Sequence, residues 1–144
     1  PVEFRYSITI PELESPYTDL RYGESDQEEI EQYSDLRERL AAFLGEADPI
    51  HRLLGHPEQQ QNDMQTECQL VSHGLYCGDA SGYTDPRAET LKPGAKDWEL
   101  LLQVDSDDSA GMMWGDAGRL YFWIPRHELR NRNFEATWMI QQGG

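Results

Sequence analysis

Three runs of aromatic and branched residues dominate the last third of the chain: WELLLQV at 98–104, LYFWI at 120–124 and FEATWMI at 134–140. Runs of this length and residue type predict strands at about 98–104, 119–125 and 134–141, paired in one antiparallel sheet. In the second run both alternating sets are bulky, Leu120, Phe122 and Ile124 against Tyr121 and Trp123, which predicts cover on both faces. Near the start, Phe4, Tyr6, Ile8 and Ile10 alternate with Arg5, Ser7 and Thr9 until Pro11, the period of a strand with one buried face.

Between these ends the period lengthens. Ile30, Tyr33, Leu36, Leu40 and Leu44 recur at steps of three and four behind a Ser25 to Glu28 capping-box spacing, and Gly45 follows, predicting a helix over 26–44. Met64, Cys68, Val71 and Leu75 fit a second helix opened by Asn62 and closed near Gly74. Met64, Thr66, Cys68 and Leu70 suit a strand as well. Residues 12–24, 48–61 and 78–97 hold the Pro and Gly residues that punctuate loops. The pattern predicts a single α+β domain over 1–144, an antiparallel sheet with the helix at 26–44 packed on it.

Charge narrows the partners. Twelve Lys and Arg stand against 27 Asp and Glu, for a formal charge of -15, which repels phosphate backbones and anionic headgroups. The excess is general, with 13 acids against 4 bases over residues 1–50 and 14 against 8 over the rest. Nucleic acid and membrane are therefore not expected partners, and a basic protein is. Arg119, Arg126, Arg130 and Arg132 make the one local basic cluster. Cys68 and Cys77 stand nine apart with no second pair, the usage of reduced thiols in a cytoplasmic protein. The chain opens on Pro1 with a strand pattern close behind, which predicts a fragment of a longer chain.

The segment LLLQVDSDDSAGMMWGDAGRLYFWI at 100–124 resembles the signature of the YwqG-like family of bacterial domains of unknown function, and HRLLGHPEQQQNDM at 51–64 and CQLVSHGLYCGDASGY at 68–83 agree with it. The resemblance covers residues 51–142 well and the first 50 loosely. It implies an α+β fold without an established enzymatic activity, in a family whose members are usually longer at the N-terminal side. Some members resemble parts of toxin and immunity neighbourhoods, and kinship with cell-wall-regulator interaction domains has been suggested, so the resemblance implies a binding role.

Candidate chemistry concentrates in the loop after residue 104. Asp105, Asp107, Ser109 and Asp116 fall at positions one, three, five and twelve of a calcium-loop template, but Ala110 stands where the template needs Gly, and Met112, Met113 and Trp114 fill its polar half. Turn-capping carboxylates and a Met-Met-Trp segment packed on the sheet account for the same residues. The run Gly115-Asp116-Ala117-Gly118 leads into a strand and lacks the Lys and helix of a phosphate loop. Cys68, His73 and Cys77, with His51 and His56, have ligand chemistry without knuckle spacing, so no metal or cofactor is expected. No nucleophile motif is present. Trp114, alone among four tryptophans, falls in a loop, as core or as anchor for a partner. The sequence thus predicts a cytoplasmic protein-interaction domain, immunity-like, binding a basic protein through Asp105, Asp107, Asp108, Trp114 and Asp116. The alternative is an enzyme or metal-binding domain that uses the acidic loop at 105–116.

Overall fold

The computed structural model describes residues 3–143. The chain forms helix α1 (Gln27–Leu44), a two-residue strand β1 (Arg52–Leu53), helices α2 (Met64–Ser72), α3 (Ser81–Thr84) and α4 (Ala88–Leu91), strands β2 (Trp98–Asp105) and β3 (Arg119–Pro125), helix α5 (Arg126–Asn131) and strand β4 (Trp138–Gln142). The strands form one antiparallel sheet in the order β1-β2-β3-β4. The fold is α+β, as the hydrophobic pattern predicts. β2 and β3 follow their expected bounds closely. The third expected strand is shorter than its aromatic run: Phe134–Ala136 forms a 3-10 turn and pairing begins only at Trp138. Phe134 is exposed there, so a branched and aromatic composition did not by itself supply a neighbour to pair with.

The alternating segment at 4–10 is not a strand either. Phe4, Tyr6 and Ile8 are exposed, and the segment pairs with neither edge strand of the sheet, β1 or β4. It runs irregularly past α1, where Tyr33 donates its hydroxyl to the Pro11 carbonyl at 2.9 Å and Arg37 pairs with Glu12. Helix α1 begins one residue later than the capping box implies, because the Asp26 carboxylate rather than Ser25 accepts the Glu28 amide. Of its expected apolar stripe only Ile30 is buried, Tyr33, Leu40 and Leu44 are half-buried, and Leu36 is exposed. It reaches the β1 margin through Arg37, 3.6 Å from Glu58.

The helix that covers the sheet is α2. Its cap is Asp63, one residue after the expected Asn62, whose carboxylate accepts the Gln65 and Thr66 amides. Met64 and Cys68 join Trp98, Leu100, Tyr121, Trp123 and Ile140 in the main core cluster. Leu70 looks the other way, into a satellite cluster with Leu75 and Ala88. The Cys68 thiol is fully buried and free, and burial pushes its pKa up, so it behaves as a small apolar side chain.

The covered face of the sheet changes character along its strands. Beyond Leu100 a register shift in β2 brings Gln103 opposite Tyr121 and Asp105 opposite Arg119, while Arg119 faces Gln142 on β4. These polar side chains hold the segment 48–62, irregular on either side of β1, by its backbone. Gln103 accepts the Glu58 amide at 2.9 Å and donates to the Ile50 carbonyl at 2.7 Å. Gln142 accepts the Gln60 and Gln61 amides at 3.0 Å each and donates to the Asn62 carbonyl at 2.8 Å. Tyr121 and Arg119 both donate to the Glu58 carbonyl. Burial pushes the Tyr121 pKa up to about 12, which keeps that hydroxyl protonated as a donor. Each glutamine thus satisfies backbone groups that a neighbouring strand would otherwise satisfy.

The opposite face is less covered than the bulky alternation of β3 predicts. Ile124 is buried, but Leu102, Val104, Leu120 and Phe122 are half-buried, and Leu53 and Met139 beside them are exposed.

Candidate functional site

The acidic loop joins β2 to β3 and is built almost wholly from local hydrogen bonds. Asp107 and Met112 form an isolated antiparallel bridge, with N-to-O distances of 2.8 and 3.0 Å. Inside it the Asp107 carboxylate accepts the Ser109 hydroxyl at 2.6 Å and the Ser109 and Ala110 amides at 2.9 and 3.3 Å, capping a 3-10 turn at Asp108–Ala110. The Ser109 hydroxyl first, with these amides behind it, holds the Asp107 carboxyl below its ordinary pKa.

The second half of the loop hangs on Ser106, whose hydroxyl accepts the Trp114 amide and donates to the Gly118 carbonyl. The Trp114 indole donates to the Asp105 carbonyl at 3.1 Å. Gly115 has φ +64, a conformation that favours glycine. At Gly118 a Cβ would lie 2.5 Å from the Trp114 and Gln142 carbonyls, so a close approach of backbone, rather than its own torsion, demands glycine.

These bonds distribute the five expected binding residues unequally. Asp105 is buried at the end of β2, its carboxylate 2.9 Å from Arg119 Nε and accepting the Ile50 amide at 2.8 Å. The Arg119 contact is an ion pair by distance rather than an aligned hydrogen bond, since Nε makes no geometrically sound bond. Asp107 is a turn cap, 3.6 Å from His51 Nε2, and His51 Nδ1 accepts the Asp105 amide. Trp114 is half-buried. Asp108 and Asp116 are exposed, as is Met113 between them. Among the described residues no group of three or more His, Cys, Asp or Glu side chains is arranged to hold a metal ion. Of the basic cluster, Arg119 is held inside by Asp105 and Asp48, and Arg126 lies 2.6 Å from Glu99.

At the other end of the same two strands lies a cleft that no local pattern reveals. Pro11, Tyr17, Gly55, His56, Gln65, Trp98, Glu99, Leu100, Trp123 and Arg126 enclose about 360 Å³. They come from five separate stretches of chain, so only the tertiary structure assembles them. Tyr17 donates to the Lys96 carbonyl at 2.7 Å and meets the His56 ring edge-on, with centroids 5.5 Å apart at 77°. Burial pulls the His56 pKa below its ordinary value, with Glu99 opposing the shift and Arg52 and Arg37 adding to it. A second recess, of about 280 Å³ between α1 and residues 8–13, is filled with interlocked charge: Arg37 pairs with Glu12 and Glu58, and Arg52 with Glu46 and Glu58.

Sheet, covering helix and locked loop together define an α+β fold. The sequence matches the family model of the domain of unknown function DUF1963 over residues 3–142, and the chain belongs to that family. No curated protein matches it. No helix among the described residues is long and apolar enough to cross a membrane.

Proposed function

We propose that this domain is a cytoplasmic protein-interaction module of YwqG-like, immunity-like type, whose contact surface is the acidic loop between β2 and β3 and whose partner is a basic protein. The observation that carries this reading is the exposure of Asp108, Met113 and Asp116 on a loop stiffened from within by Asp107, Ser106 and Trp114. A stiff loop loses little conformational entropy when it docks. An apolar side chain between two carboxylates offers both contact area and steering, and the charge of -15 raises the encounter rate with a cation-rich surface. Asp105, Asp107 and Trp114 then act by holding the surface in shape, and Asp108 and Asp116 by facing the partner.

The test is a pair of baits, wild type and the double variant Asp108→Lys with Asp116→Lys. The reading predicts a basic protein retained stoichiometrically by the wild type, released as salt rises, and lost from the variant at an unchanged melting temperature. Equal retention by both baits would remove the loop from the contact surface.

A further inference from the structure

We infer that the face of the sheet turned away from α2 is the docking surface for a helix of the partner protein, an amphipathic helix that lays its apolar stripe across the strands and carries basic residues on its polar side; the partner's charge rests on the preceding reading, and the docking element is added to it.

The pairing register carries an apolar row across the whole sheet. Leu53 stands opposite Leu102, Leu102 opposite Phe122 and Phe122 opposite Met139. Residues two apart on a strand share a face, so Val104 and Leu120, themselves paired, form a second row beside the first, which Gln141 ends on β4. No position in the two rows is charged, although 27% of the chain is, so the two rows differ in kind from the rest of the surface. They are also open. Leu53 and Met139 are 56% and 50% exposed, and the apolar side chains between them are half-buried. Single exposed apolar side chains are ordinary, whereas a contiguous uncharged patch marks a contact site.

Size and charge then choose the occupant. Strands about 4.8 Å apart make a four-stranded face about 14 Å wide, which seats one α-helix, about 10–12 Å across with its side chains. The inner face of the same sheet shows that match, with Met64 and Cys68 of α2 seated among Leu100, Tyr121 and Trp123. A second copy of the chain fits less well. The two rows offer on the order of 300 Å², well below the roughly 800 Å² that each partner of a stable dimer contributes, and two chains of charge -15 repel each other. Charge also sets the polar side of the helix. Val104 and Leu120 are the last residues of this face before the β2–β3 loop, where Asp108 and Asp116 are exposed. Lysine or arginine flanking the stripe meets opposite charge there, and an acidic helix meets repulsion.

The test measures, by fluorescence anisotropy, the affinity of the chain for three labelled peptides of about 15 residues. The first has leucines at helical i, i+3, i+4, i+7 spacing and lysines elsewhere. The second shuffles the same residues so that no stripe forms, and the third keeps the stripe and replaces lysine by glutamate. The striped basic peptide is expected to bind with a Kd below about 100 μM, at least about tenfold tighter than either of the others. In a methyl spectrum it moves Met139 and leaves Met64, buried under α2, in place. Leu53→Gln with Met139→Gln, both at exposed positions, keeps the wild-type melting temperature and removes most of the preference for the striped over the shuffled peptide; Leu53→Gln alone serves if the double variant melts early. Equal affinity for the shuffled or the acidic peptide overturns the proposal, as does an unmoved Met139 or a preference that survives in the variant. A wild-type dimer that the double variant dissociates would assign the face to a second copy and overturn it too. Asp108 and Asp116 stay intact in every arm, so failure here is distinct from failure of the loop variant above.

Discussion

The two ends of the covered sheet face are built from the same strands by opposite means. At the Trp98 end, α2 lays Met64 and Cys68 over Leu100, Trp123 and Ile140, and the contact is apolar and shape-matched. At the Asp105 end no α-helix among the described residues covers the face. Gln103, Asp105, Arg119 and Gln142 instead hold a strap of backbone, residues 48–62, irregular on either side of β1, through hydrogen bonds and one buried ion pair. Packing tolerates apolar swaps that conserve volume, whereas a buried polar network fails once a single member is left unmatched. The locked acidic loop grows out of the polar end. The cleft opens at the apolar end.

This contrast predicts a graded set of outcomes. Arg119→Ala has the largest effect, a loss of about 3–5 kcal/mol in urea unfolding, because it strands the buried Asp105 carboxylate. The double variant Arg119→Met with Asp105→Leu sharpens the point. It removes both charges together and recovers part of that loss, the Ile50 amide still lacking its acceptor, and a double variant as unstable as the single one would show that the ion pair is not the cause.

Leu100→Ala, at the apolar end, costs about 2–5 kcal/mol by leaving a cavity, and that cost is the same in low and high salt. A salt-dependent loss there would erase the distinction between the two ends.

Trp114→Ala comes next, at about 1–3 kcal/mol. The indole is half-buried and its N–H holds the Asp105 carbonyl, so its removal loosens the loop without opening the core. An unfolding midpoint equal to wild type would make the indole a free anchor, and a loss above about 4 kcal/mol would make it core.

The smallest effect belongs to His56, whose burial pulls its pKa below the ordinary value. A group depressed on folding stabilises above its unfolded pKa, and the contribution is lost as the pH falls through the folded one. Stability therefore declines as the pH drops below about 6.5, and His56→Gln flattens that decline by less than about 1 kcal/mol. An unchanged slope in the variant would assign the titration elsewhere.

Much of this was legible in the sequence, and the exceptions are physical. The aromatic runs predict β2 and β3 closely because a central strand is specified by its own side chains. The segment at 4–10 alternates just as cleanly yet pairs with neither edge strand, and where a segment lies relative to an edge is set by the tertiary fold, which no local pattern encodes. The stripe of α1 predicts the helix but not its packing, since only Ile30 is buried and Leu36 is left exposed. Within the acidic loop, Asp, Ser and Gly announce turns, and Asp107 and Gly115 make them. That Asp105 pairs inward with Arg119 while Asp108 faces out depends on strand register, so equal carboxylates in the sequence become unequal in space. Gln103 and Gln142 carry no motif at all. A glutamine at an inward-facing strand position is the one signal that could have pointed to the strap.

Native-state hydrogen exchange tests most directly whether strand side chains hold segment 48–62 as part of the sheet. The amides of Ile50, Glu58, Gln60 and Gln61 lie outside the strands and donate to Asp105, Gln103 and Gln142 side chains. If the account is right, these four amides exchange only by the same cooperative opening as the β3 amides, with matching free energies. Exchange at the rate of an exposed loop, with β3 still protected, would contradict it.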